Sequence, residues 1–473
     1  MDKTSHCRRK SSRIAACIAA ATLFALVPAG LGSTWANDPG GNDQGDHNGG
    51  RIWVTSWTGS AQGPYPSGSA VAQPDLEFAF PNNTANDQSF RLIVHPSLLS
   101  NTTRIRFTNV FGSQPITFDS VRIGLQKSGA TLEQGTNQRV RFQGGDTLTL
   151  QPGQAAWSDP ASLPFVTGDA DDATLLDWRK LSVSFHVGTT GPMTWHAKAM
   201  TTSYVTDPNA GVASDDEDDV KFTTSTTSWY FIDAIDMLAP RDTQVVVALG
   251  DSITDGTSTT INGDDRWPDV LFRRLQTALG GHVALVNEGI GGNAIVTPAN
   301  YDPNNPVSGG PDALQRLSRD VLSLSGVTAV IWFEGTNDVS ANIAAGPIEA
   351  GMQTVVQELR AGISGLRLVG ATITSEVGAA GFGGTPAAAA ERIDINNFVK
   401  TSHLFDQVVD FFALTTDPAT GALKAQFIPN TSVGGAGDHI HPNRAGYLVM
   451  GNAVPLEWLV KLPSASRRKP PHR

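Results

Sequence analysis

The run Val245-Val-Val-Ala-Leu-Gly-Asp-Ser-Ile-Thr-Asp-Gly256 decides how this chain is read. Its first half is an unbroken series of β-branched and aliphatic residues. A short apolar run without polar alternation predicts a strand buried on both faces of a parallel sheet. Gly250 ends that strand, and Asp251-Ser252 falls in the turn that follows. Open α/β sheets bind ligands just beyond the carboxyl ends of their strands. A hydroxyl at that place is therefore a candidate for chemistry. Gly, Asp and Ser also serve ordinary strand-to-helix turns, so the run alone leaves both readings open.

Downstream, the pattern alternates. Trp267–Leu279 reads as a helix, with Pro268 near its start and Gly280 at its end. Strands are expected at 282–286, Val327–Phe333, 366–373 and 408–412. Helices are expected at 311–322, 348–359, 387–400 and 444–460. Strand and helix in alternation imply parallel crossovers, hence a three-layer α/β/α sandwich of flavodoxin-like type over residues 241–462.

Upstream, residues 51–238 show short strands in which apolar and polar residues alternate, separated by clusters of Gly, Pro, Asn and Asp. That pattern predicts an antiparallel β-sandwich, jelly-roll-like in outline. Within it, Asp215-Asp-Glu-Asp-Asp219 resembles a cation site only superficially. Five adjacent acids cannot all face one ion, and EF-hand spacing is missing, so a solvated loop is expected. Trp195-His196 reads as a half-buried strand pair rather than a platform for a sugar ring.

Residues 1–36 combine a basic start (Lys3, Arg8, Arg9, Lys10, Arg13) with an apolar stretch to about Leu31 and small residues near Ala36. This is the composition of a secretory signal peptide. A polar leader over 37–50 and a basic tail over 463–473 flank the two domains. Ala and Gly interrupt the apolar stretch, so no stable membrane anchor is expected. Both cysteines, Cys7 and Cys17, lie within residues 1–36, leaving a mature chain without disulfides. Removing that segment's five basic residues and one acidic residue moves the net charge from −11 to −15. Such a surface disfavours nucleic acid as a partner.

Four stretches fall beyond the carboxyl ends of the predicted strands or before the last helix. They are Gly250-Asp-Ser252, Asn287-Glu-Gly-Ile-Gly-Gly292, Glu334-Gly-Thr-Asn-Asp338 and Asp438-His-Ile-His-Pro442. In a parallel sheet they converge on one edge. A hydroxyl, a glycine-rich amide loop, a carboxamide and an Asp/His pair are the parts that acyl transfer requires.

In that set and order, the chain resembles the SGNH hydrolases, the esterase and lipase superfamily also called GDSL, over residues 243–461. Here the first motif reads Gly-Asp-Ser-Ile, with Ile253 where the name has Leu. The resemblance implies Ser252 as nucleophile, His441 as base and Asp438 as its orienter. It implies an oxyanion hole from the Ser252 and Gly292 backbone N–H groups and the Asn337 side chain. His439 competes for the role of base; spacing to Asp438 and the following Pro442 favour His441. Asp255 and Glu334 flank the site and receive no role.

No Gly-x-Ser-x-Gly elbow, His-Glu-x-x-His pair, phosphate-binding loop or metal cysteine set occurs, so no cofactor or metal is expected. The expected protein is a secreted, extracellular ester hydrolase whose substrate is an acyl ester, with acetylated polysaccharide suggested by similar two-domain members. A lipase or general carboxylesterase is the alternative. A glycan-binding protein with an inert hydrolase half is a further one, against which the intact Ser252, Asn337, Asp438 and His441 stand.

Overall fold

The computed structural model describes residues 50–68, 76–167, 176, 178–430 and 436–462. The expected signal peptide, nearly all of the leader and the basic tail lie outside the described residues.

The α/β half is built on a five-stranded parallel sheet. Its order is Val283–Gly289, Gln244–Gly250, Val327–Phe333, Arg367–Ala371 and Gln407–Val409. In chain order this is 2-1-3-4-5, whose switch point lies beside the first strand. Val246 and Ala248 face one helix layer and Val247 and Leu249 the other; all four are fully buried. Burying each larger side chain stabilises the fold by about 1.5–3 kcal/mol. On one face pack Trp267–Leu279 and Arg444–Ala453. On the other pack Ala345–Gly362 and Pro386–Thr401, together with Ala313–Leu317.

Several element ends differ from expectation, for local reasons. The last strand stops at Val409, because Asp410 turns and caps a short helix, Phe411–Thr415, by accepting the Ala413 N–H. The helix expected over 311–322 is α-helical only over Ala313–Leu317 and widens to a π turn at Ser318–Leu322. The last helix ends at Ala453, and Pro455 precedes a separate turn, Leu456–Leu459; proline cannot continue a helix interior.

The β-rich half consists of antiparallel sheets whose facing side chains form one core. Phe107, Ile105, Ile235 and Met237 come from the sheet containing Arg51–Thr58. Phe90, Phe118, Val183 and Phe185 come from the other large sheet. Its last strand runs to Pro240 and the parallel sheet begins at Gln244. The two halves form one compact unit. Thr55 N–H donates to the Ser325 carbonyl at 3.0 Å, and Arg106, paired with Asp233 at 2.6 Å, also donates to Ser323 Oγ at 2.7 Å.

Trp195 and His196 are fully buried, not half-buried: Trp195 Nε1 donates to the Ser67 carbonyl at 2.7 Å. The acidic run 215–219 wraps a buried arginine. Carbonyls of Asp216 and Asp218 accept from the Arg91 guanidinium, as does Ala130.

Gly250 is the tightest point of the first strand's exit. A Cβ there would lie 2.3 Å from the Phe333 carbonyl oxygen and 2.4 Å from Thr254 Oγ1. Gly250→Ala is expected to cost about 1–3 kcal/mol or more through overpacking, seen as a lower denaturation midpoint. An unchanged midpoint would contradict the packing described.

Candidate active site

Ser252 opens a one-turn helix, Ser252–Asp255, immediately after the first parallel strand. Asp251 caps that turn by accepting the Ile253 N–H at 2.9 Å. Gly256 closes it in the left-handed region, at φ 102°, which glycine adopts without steric cost. The Ser252 side chain is thereby held at the rim of the sheet, 6% exposed.

His441 comes from the far end of the chain. Its Nε2 lies 2.7 Å from Ser252 Oγ, and its Nδ1 lies 2.6 Å from Asp438 Oδ2. Asp438 Oδ1 also accepts the backbone N–H groups of Ile440 and His441, at 2.9 and 3.0 Å. One carboxylate thus folds the loop and orients the ring. Because Nδ1 donates to that carboxylate, Nε2 of the neutral ring is left to accept from the serine hydroxyl. Partial burial pushes the Asp438 pKa up. Hydrogen bonds and charge from His441 outweigh it, holding the carboxyl well below the usual carboxylate range. His439 is turned elsewhere: it adopts φ 62°, and its ring lies against Gly378.

Gly292 follows the second strand at φ 84°. Asn337 stands in the short helix after the third strand, and its Nδ2 donates to the Asn293 carbonyl at 2.7 Å. The structure therefore joins Ser252, His441 and Asp438 directly, and joins Asn337 to the segment that carries Gly292. Among the described residues, neither the Ser252 nor the Gly292 N–H is taken up by an internal acceptor.

Behind these loops sits Arg316, which the sequence reading passed over. Its guanidinium is fully buried. It donates to the Gly250 carbonyl at 2.9 Å, the Glu288 carbonyl at 2.8 Å, Asn293 Oδ1 at 2.7 Å and Asp320 Oδ2 at 3.0 Å. The signal was present: Arg316 and Asp320 lie four apart on the helix stripe that also holds Ala313 and Leu317, where an apolar side chain is expected. Asp338 is buried too. Its two oxygens accept the Ile295 and Val296 N–H groups at 2.8 and 3.0 Å, and burial pushes its pKa up to about 6.

Glu334 receives the Trp332 indole N–H at 2.8 Å and lies 3.7 Å from Arg316. Burial nevertheless dominates, pushing its pKa up to about 7. The arginine is too far for a hydrogen bond to Oε1, so its charge only partly offsets the lost solvation.

Residues 248–449 match the GDSL-like Lipase/Acylhydrolase family. Over that stretch the chain is a GDSL-like hydrolase, an enzyme of the esterase and acylhydrolase kind. Solved structures similar to it include the lipase/acylhydrolase from Enterococcus faecalis. That match has 23% identity and a TM-score of 0.35, covering 47% of this chain and 100% of that one. The M. smegmatis aryl esterase matches at 17% identity and a TM-score of 0.33, covering 44% of this chain and 95% of that one. No curated protein matches the chain.

The Glu334 pKa has a consequence for stability. Between its ordinary value of 4.5 and about 7, the folded chain keeps a proton that the unfolded chain has released. Stability from this group therefore falls as pH rises through that window. Replacing it by Glu334→Gln removes the titration. The denaturation midpoint of the native protein is expected to fall more steeply than the variant's between about pH 5 and about pH 7. Parallel slopes would refute the assignment.

Proposed function

We propose that this hydrolase is a secreted serine esterase that removes acyl groups, acetyl groups on a polysaccharide above all. One observation carries the reading: Ser252 Oγ, His441 and Asp438 form a continuous hydrogen-bonded chain at 2.7 and 2.6 Å. A serine hydroxyl is a weak nucleophile until a neighbouring base takes its proton. His441 Nε2 takes it as Oγ attacks the ester carbonyl, and Asp438 stabilises the imidazolium that forms. The tetrahedral oxyanion is met by the Ser252 N–H, the Gly292 N–H and the Asn337 amide hydrogen not given to Asn293. His441 then returns the proton to the departing alkoxide, leaving an acyl-serine. A water deprotonated by the same nitrogen attacks the acyl carbon, and the serine recovers its proton as the acid leaves.

The basic and then apolar start of the chain supports export. The β-rich half, an added antiparallel domain, supports a glycan substrate as a surface on which a chain could be held. The family's description as lipase and acylhydrolase supports a second reading, cleavage of lipid or simple acyl esters.

Ser252→Ala and His441→Ala are expected to reduce turnover of a p-nitrophenyl ester to near background, and Ser252→Ala to abolish labelling by a fluorophosphonate. Asn337→Ala should lower kcat by about 10²–10³, the usual effect of losing one oxyanion donor. Full turnover in purified Ser252→Ala would end the serine reading. Acetate release from acetylated xylan, with little action on long-chain p-nitrophenyl esters, is expected; the opposite pattern would replace the glycan substrate with a lipid one.

A further inference from the structure

The loop carrying Gly292 is held from outside the α/β half. Gln62, 1% exposed, belongs to the β-rich half. Its Nε2 donates to the Gly291 carbonyl at 3.2 Å and also to the Ser308 carbonyl. Its Oε1 accepts the Ala197 N–H at 3.3 Å, and its backbone N–H donates to the Trp195 carbonyl at 2.8 Å. The amide is thus fixed at both ends.

The Gly291 N–H is held as well, by Asp255 Oδ2 at 2.9 Å. The other Asp255 oxygen lies 3.1 Å from Nε2 of His196, again from the β-rich half, whose Nδ1 faces the Ser60 carbonyl at 2.8 Å. A carbonyl only accepts, so Nδ1 carries a proton. Lys198, two residues past His196, reaches the same region. It donates to Thr257 Oγ1 at 2.7 Å. A Cβ at position 291 would lie 2.9 Å from its ammonium nitrogen, so the lysine lies directly over Gly291.

The arrangement bears on one peptide plane. The carbonyl of Gly291 and the N–H of Gly292 belong to the same planar trans peptide and point in opposite directions. Whatever fixes the first aims the second. The geometry points to Gln62, with His196 acting through Asp255, as positioning residues for the Gly292 oxyanion donor. The β-rich half is then a working part of the acyl-transfer site and not a separable appendage. This inference rests on the serine-esterase reading above.

The test uses the full chain, p-nitrophenyl acetate and a fluorophosphonate. Gln62→Met keeps the volume and loses the donor. It is expected to lower kcat at least about tenfold, a part of what a lost oxyanion donor costs, with KM within about threefold because ground-state binding is untouched. Ser252 should still be phosphonylated, more slowly. A folded Gln62→Met with the native kcat, or one that changes KM alone, overturns the inference.

Should Gln62→Met not fold, Asp255 decides. Asn at that position still accepts the Gly291 N–H, and Leu does not. A kcat at least about fivefold higher in Asp255→Asn than in Asp255→Leu supports the clamp, since a positioned oxyanion donor acts on the transition state. Equal values overturn it. The two readings fail separately. Native turnover in Ser252→Ala defeats the serine mechanism, whereas native turnover in Gln62→Met beside an inactive Ser252→Ala defeats only the clamp.

Discussion

A single buried cation ties together the starts of the loops that carry Ser252 and Gly292. At the carboxyl end of a parallel sheet the last carbonyls run out of strand partners, and a buried carbonyl without a donor costs stability. Arg316 supplies a donor to the Glu288 carbonyl and a second donor to the Gly250 carbonyl, which also accepts the Ile290 N–H at 3.0 Å. The same guanidinium holds the Asn293 side chain, one residue past Gly292. Burying it unpaired would cost several kcal/mol, and Asp320 supplies the compensating charge at 3.0 Å. The Ser252 turn and the glycine loop therefore start from points tied to one rigid plane.

That cation stands among several buried acids, and their environments divide them. Asp438, by contrast, is exposed and faces His441, which keeps it ionised. Burial pushes Glu334, Asp338 and Glu376 up, and Asp251 well above the ordinary value. Environments that push carboxyl pKa values apart give neighbouring carboxyls different charge at one pH. The upward shifts leave these buried acids less charged than free carboxyls, while the downward shift keeps Asp438 as the charge that faces the His441 ring.

Much of this architecture was legible from local pattern. The run at 245–249 announced a doubly buried strand because nothing polar interrupts it, and Trp267–Leu279 announced a helix through Pro268 and Gly280. The four polar loops could be placed together because a parallel sheet gathers its carboxyl ends. Legibility failed where long-range contacts override short-range pattern. Val408 through Phe412 reads as a strand, yet Asp410 finds Thr372 Oγ1 at 2.8 Å and begins a helix there. Arg316 hid because a charge on an apolar stripe has meaning only once its four acceptors are known. His196 looked like half-buried strand because its partner, Asp255, lies 59 residues away in the other half.

The contacts between the halves explain why the β-rich region cannot be treated as a tether. They are polar, buried and numerous at the site's back wall: Arg319 donates to the Ala61 carbonyl at 2.7 Å, Ser60 Oγ to Glu288, and Thr58 Oγ1 to the Asn287 carbonyl at 3.0 Å. Each uses a residue of the segment 58–61 against the second strand's end or the helix that holds Arg316. Opening this seam would leave charged and hydrogen-bonding groups without partners, a penalty larger than the gain each bond makes when formed. A hinge at this seam is therefore costly, and the loop bearing Gly292 is closed on its far side by a wall that belongs to the first half of the chain. The opposite side, where Ser252 meets His441, is not closed by the residues of that seam.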